Sequence, residues 1–270
     1  MKRFFQAFLK AMAYALLFVG MQFFVSFAMM FAFGIEMGVE AGMSGTMPDM
    51  TAIETALTEK LMESTGTLAL VSGILTLLML WPVFAAQKKS YFNEISLYPL
   101  AQGAIWPLIG IGISSVFGVT LLLSLLPIPE EMMLEYADAA ASLGSPTFLD
   151  AVSTVLIAPV AEEVVFRGLV YTRLRRGMPV WAACLISSLV FALLHGQILW
   201  IAYAFVLGVL FAVVMERTGT VWATIIMHVA FNLVGGYLTE YLPASVVLFV
   251  LSLAVLAVCW KWLCRIYRSK

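Results

Sequence analysis

The sequence predicts an all-α fold: a polytopic transmembrane helical bundle of about eight helices with both termini cytoplasmic. Three observations predict it. The 270 residues are 63% hydrophobic and 11% charged, whereas soluble domains run at roughly 45–50% apolar and 25% charged. Apolar runs long enough to cross ~30 Å of hydrocarbon, about 20 residues each, recur along the chain. Lysine and arginine are concentrated in alternate connections between those runs, as the positive-inside rule expects.

The runs are taken in order. The first, residues 11–33, follows Lys2, Arg3 and Lys10. At 23 residues it exceeds the 7–15 residues of a secretory signal core, so it reads as a retained helix. The others lie near 66–86, 103–126, 147–172, 179–195, 198–215, 220–237 and 243–263. Between the first two, the stretch 34–64 is rich in Gly, Met and Thr and reads as a loop, mobile at its start. The stretch 128–143 opens with Pro129-Glu130-Glu131, a helix-start pattern, and is expected along the outer membrane face. No internal repeat divides the chain. Residues 1–270 therefore read as a single membrane domain.

Orientation follows from the basic residues. Lys2, Arg3 and Lys10 precede the first run, Lys88 and Lys89 follow the second, and Arg173, Arg175 and Arg176 follow the fourth. Arg217 follows the sixth, and Lys261, Arg265, Arg268 and Lys270 close the chain. The opposite connections hold Glu36, Glu40, Asp49, Glu54, Glu59, Glu63, Glu130, Glu131, Glu135 and Asp138, with Lys60 the one basic residue. An integral protein of the plasma (inner) membrane is expected, in contact with the lipid bilayer. The net charge of −1 says nothing about nucleic acid, but no basic cluster interleaved with aromatics suggests a nucleic-acid surface. Cys184, Cys259 and Cys264 sit in or beside apolar runs without metal-type spacing and read as small buried hydrophobes.

Ionised groups at the centre of a membrane helix cost about 2.5–3.5 kcal/mol each on insertion scales, yet the fourth run contains Glu162, Glu163 and Arg167. Glu163 and Arg167 are four apart with the acid first, the favourable order for a helical ion pair. Glu162 points about 100° away and lacks a partner on its own helix. Its depth suggests one. The fourth and fifth helices turn at Gly177-Met178-Pro179; Glu162 lies 16 residues before Met178 and His195 17 after it. Both are then roughly 25 Å from the turn, so His195 is placed to meet Glu162, with Phe191 one turn earlier walling the site. His228 and Asn232 share a face of the seventh helix, about 14–20 Å from its cytoplasmic turn, a small mismatch that tilt absorbs. Asp150, near the outer end of the fourth helix, is expected to reach water.

A lone membrane histidine is as often a packing residue as a catalyst, and an intramembrane asparagine is commonly interhelical glue. Here, however, both histidines of the chain lie in the membrane, one of them level with a carboxylate. One chemistry is amide hydrolysis: Glu162, aided by His195, takes a proton from water, while His228 and Asn232 donate to the oxyanion. A second version makes Glu162, His195 and His228 the ligands of one zinc ion; the H-E-x-x-H signature is absent, and the sequence leaves metal and metal-free versions open. A proton-coupled transporter is a different class, but the inverted repeats that would support it are not seen. A non-catalytic binding or immunity protein on the same scaffold is the remaining alternative.

The motifs Glu162-Glu163-x-x-x-Arg167, Phe191-x-x-x-His195 and His228-x-x-x-Asn232 resemble the three motifs of the CPBP family of intramembrane proteases, also called the Abi or CAAX-protease family. Its eukaryotic member removes the last three residues of prenylated proteins. The resemblance covers roughly 147–240. It implies an eight-helix endopeptidase in which Glu162 and His195 activate water and His228 and Asn232 serve as oxyanion donors or further site residues. Glu163 would belong to the same catalytic set, with Arg167 and Phe191 supporting it, and 147–240 would be the catalytic core. The family is often described as metalloproteases, and a metal-free glutamate mechanism has also been proposed for it. The implied partner is a membrane-embedded or lipidated peptide substrate.

Overall fold

The computed structural model describes residues 2–45, 49–143, 147–237 and 245–268. Lys270 of the C-terminal basic cluster and residues 238–240 at the end of the expected core segment lie outside these. All regular structure among the described residues is helical. Each of the eight apolar runs falls on a helix: α1 Lys2–Ser44, α3 Thr65–Ala86, α5 Ile105–Leu125, α7 over 148–175, α8 Val180–Leu193, α9 Ile198–Thr218, α10 Val221–Tyr237 and α11 Val246–Ile266. Three further helices lie between them: α2 Met50–Glu63, α4 Tyr91–Glu94 and α6 Glu130–Leu143. Five helices (α1, α3, α5, α9 and α11) are long and apolar enough to cross a membrane; α8 and α10 are shorter apolar helices.

The stretch 34–64 differs from the expected mobile loop. Its glycines Gly34, Gly38 and Gly42 are tolerated inside α1, which runs on to Ser44, because no proline intervenes before Pro48. The side chain of Asp49 then accepts the amide of Ala52 at 2.7 Å and starts α2 as a helix N-cap. Lys60 of α2 returns to α1 through Glu36 at 2.7 Å. At 43 residues, α1 is about 65 Å long, twice the hydrocarbon thickness.

Asp150 also departs from expectation. It is 6% exposed, not open to water, and Thr147 hydrogen-bonds its carboxylate. It packs so closely on Gly66 that a Cβ there would lie 1.9 Å from its Oδ1.

Among the described residues three apolar clusters knit the bundle. One ties Leu80 and Phe84 of α3 to Val164 and Leu169 of α7 and Val221 and Ile225 of α10. A second joins Ala11, Ala15 and Phe18 of α1 to Val165, Phe166 and Val170 of α7, then to Ala183 and Phe191 of α8 and Ala204 and Ala212 of α9. The third joins Leu108 and Ile111 of α5 to Phe211 of α9, Met227 of α10 and Leu263 of α11. At Gly112 a Cβ would lie 2.5 Å from the Met227 carbonyl, so the α5–α10 approach requires glycine. Gly219, at φ 71°, closes α9 in the left-handed conformation. Phe24, Phe27, Leu78, Trp181, Val206 and Val258 are exposed; in a bundle this apolar, that outer surface faces lipid.

Candidate active site

The site is assembled where α7 is not regular. Residues 153–157 and 164–171 adopt wide π-helical turns, and the carboxylates Glu162 and Glu163 lie between them on a short α-helical stretch. Single wide turns of this kind recur at functional sites. Pro159 explains part of the irregularity. In the wide register the amide of Ala158 donates to the Ser153 carbonyl, so the next residue should serve Thr154, but a proline has no N–H to give. The Asn232 side-chain amide from α10 takes that carbonyl instead, at 2.8 Å.

Glu163 is fully buried. Its Oε1 accepts from Arg167 Nη1 and from His228 Nδ1, each at 2.9 Å, and the Thr224 hydroxyl faces the same carboxylate. Arg167 donates its second nitrogen to the Gly208 carbonyl at 3.3 Å. Its guanidinium lies 4.2 Å from the Phe191 ring centroid and 5.3 Å from that of Phe211, an aromatic clamp for a desolvated cation. The expected Glu163–Arg167 pair is therefore present, and it also holds a histidine.

Glu162 turns the other way. Its carboxylate is 22% exposed, and Oε2 lies 3.7 Å from His228 Nε2. His228 is thus held between the two neighbouring glutamates, one on each ring nitrogen. Glu162 and His195 line the same cavity but make no hydrogen bond or ion pair with each other. His195 follows the last turn of α8, where Gly196 at φ 72° breaks the helix. Its Nδ1 turns back to the Phe191 carbonyl at 3.1 Å, and its ring packs edge-on to Phe191, 4.8 Å between centroids. Irregular backbone of this kind at membrane depth is tolerated where it lines a cavity. Gln197 starts the next helix by accepting the amide of Trp200 at 2.9 Å.

The two histidines share a logic. A carbonyl and an ion-paired carboxylate only accept, so each Nδ1 carries the hydrogen and each Nε2 is left for other work. A cavity of about 500 Å³ meets them, lined by Glu162, His195, His228 and Asn232 together with Phe191, Phe211, Trp200 and Tyr203. Glu163 and Arg167 do not line it. The arrangement can take a proton at Glu162, shuttle one at Nε2 of either histidine, and hold both in place from behind.

A metal is a separate test. Among the described residues no group of three or more His, Cys, Asp or Glu side chains could hold a metal ion. Glu162, His195 and His228 as placed do not converge on one point.

Sequence reasoning found the carboxylates, both histidines, Arg167 and Asn232 of the site but missed Tyr203 in the cavity wall, Pro159, and Thr154, Gly208 and Phe211, which contact Asn232 and Arg167. It also passed over Gln22 and Ser26 of α1, which line the cavity. Their signal was available: two polar residues, four apart, in an apolar run.

Fold and site together define an integral membrane protein with a carboxylate–imidazole centre inside its helices. The segment 144–234 matches the family model described as type II CAAX prenyl endopeptidase Rce1-like. Over 77 residues, 28% of this chain and 32% of the relative, the chain is 29% identical to the "Putative membrane peptidase YdiL" of Bacillus subtilis (strain 168). The matched part thus spans about a third of that relative's length. No solved structure matches the chain. The matched segment holds all the titratable residues of the site.

Proposed function

We propose that the chain is an intramembrane endopeptidase that hydrolyses a peptide bond in a membrane-embedded or lipid-anchored substrate. It would cross the plasma membrane eight times, with both termini in the cytoplasm. The observation that carries the reading is His228 held between Glu163 and Glu162 at the wall of a cavity.

Glu162 is the general base. It takes a proton from a water in the cavity as the water oxygen attacks the scissile carbonyl carbon, and returns it to the departing amine nitrogen. His195 and His228 present Nε2 to that water and to the substrate. In its protonated form His228 donates from Nε2 to the oxyanion, and Asn232 adds its remaining amide N–H. Glu163 fixes the ring and tautomer of His228, as an orienting carboxylate does in other acyl-transfer sites. Arg167 and Phe191 hold Glu163 and His195 in turn.

The test compares peptide termini in membranes from cells making wild type and Glu162→Ala at matched expression. New termini with wild type alone are expected. Identical termini, with a phenotype that Glu162→Ala still rescues, would replace catalysis with binding.

A further inference from the structure

Helix α1 lies outside the Rce1-like segment, yet one face of it runs through the whole site. Ala7, Ala11, Ala15 and Phe18 are buried at spacings of three and four, one helical stripe. Ala11, Ala15 and Phe18 pack on the core, Phe18 edge-on to Phe166 of α7 at 5.5 Å. The stripe continues with Gln22 and Ser26 at the same spacing. Above Phe18 the packing gives way to the cavity, and Gln22 and Ser26 line it together with Glu162, His195 and His228.

These side chains stand on the protein-facing stripe, not among the lipid-facing Phe24 and Phe27, which are 62% and 72% exposed. The bland explanation for such residues is interhelical glue, and glue requires a partner. Among the described residues neither side chain makes a hydrogen bond. An amide left unsatisfied in an apolar setting costs free energy, so Gln22 is stable there only against water or a polar ligand. A carboxamide has both donors and an acceptor, which matches the two faces of a peptide group in an extended segment.

We propose that Gln22, assisted by Ser26, binds the backbone of the substrate peptide beside the scissile bond, so that α1 forms the substrate-docking wall of the site. This rests on the endopeptidase reading. The chemistry recognised is an extended peptide, whatever anchors it in the membrane.

The experiment uses full-length protein in lipid vesicles and, as probe, a synthetic peptide spanning a cleavage found to depend on Glu162. Gln22→Leu should raise KM about two- to tenfold, the equivalent of one neutral hydrogen bond, with kcat within about twofold. Gln22→Asn should fall between it and wild type, and Ser26→Ala should be milder than Gln22→Leu. Lipid-facing Phe24→Leu serves as the control and should match wild type. An unchanged KM in both Gln22 variants, or a loss confined to kcat, overturns the proposal while the Glu162-dependent cleavage keeps the parent reading intact. If no cleavage depends on Glu162, both fall together.

Discussion

His228 Nδ1 lies 2.9 Å from Glu163 Oε1, while the other nitrogen of the same ring lies 3.7 Å from Glu162 Oε2. Adjacent glutamates thus differ in environment. Glu163 is fully buried and paired with Arg167, which is itself 1% exposed. Glu162 opens on the cavity.

That difference separates stability from activity. Removing one partner of a buried ion pair typically costs about 3–5 kcal/mol, because the other charge stays behind uncompensated. Glu163→Gln should therefore lower stability by about that amount and abolish cleavage, since Arg167 stays buried and His228 loses its orienting carboxylate. Glu162→Gln should abolish cleavage while leaving the unfolding midpoint near wild type. Thermal scans of both purified variants at one scan rate, alongside a cleavage assay, check this. Equal destabilisation by the two substitutions would contradict the division of labour.

The Asn232 amide substitutes for the N–H that Pro159 lacks. Leaving a fully buried carbonyl without a partner costs about 1–3 kcal/mol. The Thr154 carbonyl is part-buried, and Asn232→Leu should destabilise by about 1–2 kcal/mol, within the lower part of that range. In a Pro159→Ala background the chain regains a donor for the Thr154 carbonyl, so the cost of Asn232→Leu should drop below about 1 kcal/mol. A double-mutant cycle on unfolding midpoints reads the coupling. Strict additivity would mean that the two residues do not serve one carbonyl.

The apolar runs made the helices legible, since a stretch that must satisfy its own backbone in lipid has few alternatives to a helix. The polar residues were equally legible, because each is expensive in that setting. Their pairing was less so. Counting about 100° per residue along a regular helix gave Glu163 to Arg167, which the structure shows. Counting depth at 1.5 Å per residue from the turn gave Glu162 to His195, whereas the nearest imidazole to Glu162 is His228. The wide turns of α7 at 153–157 and 164–171 break that count, and the break after His195 turns its ring back onto Phe191. Neither irregularity leaves a signal beyond Pro159 and Gly196. Asp150 was visible as a polar residue near a helix end, but its burial depends on Gly66, far away in sequence.

The histidine tautomers bear on zinc. Nδ1 of each ring turned to an acceptor within the protein leaves Nε2 free, as in a zinc-ligating histidine, but no three-ligand cluster lies among the described residues, so the donors do not converge as a catalytic zinc site demands. Zinc in the purified protein should be substoichiometric and the same in wild type and in His195→Ala/His228→Ala, and cleavage should persist after chelation. Elemental analysis before and after dialysis against a chelator decides it. One zinc per chain, lost in the double variant, would require the site to rearrange around the metal.

The cavity has a direction within the bundle. Thr65, Thr154 and Trp200 line it, and all three lie toward the helix ends opposite Lys88, Lys89 and Arg175. Tyr136 of the acidic helix α6 packs on Trp200 and Tyr203 at that same end, with ring centroids 6.3 Å and 6.5 Å apart. If the basic end is cytoplasmic, the site is reached from the outer side. With the three native cysteines replaced by alanine, Thr65→Cys should react with a membrane-impermeant maleimide in intact cells. Lys89→Cys should react only after the membrane is permeabilised. The reverse pattern would invert the topology and place the mouth of the cavity on the cytoplasmic side, where a substrate lipidated in the cytoplasm would meet it directly.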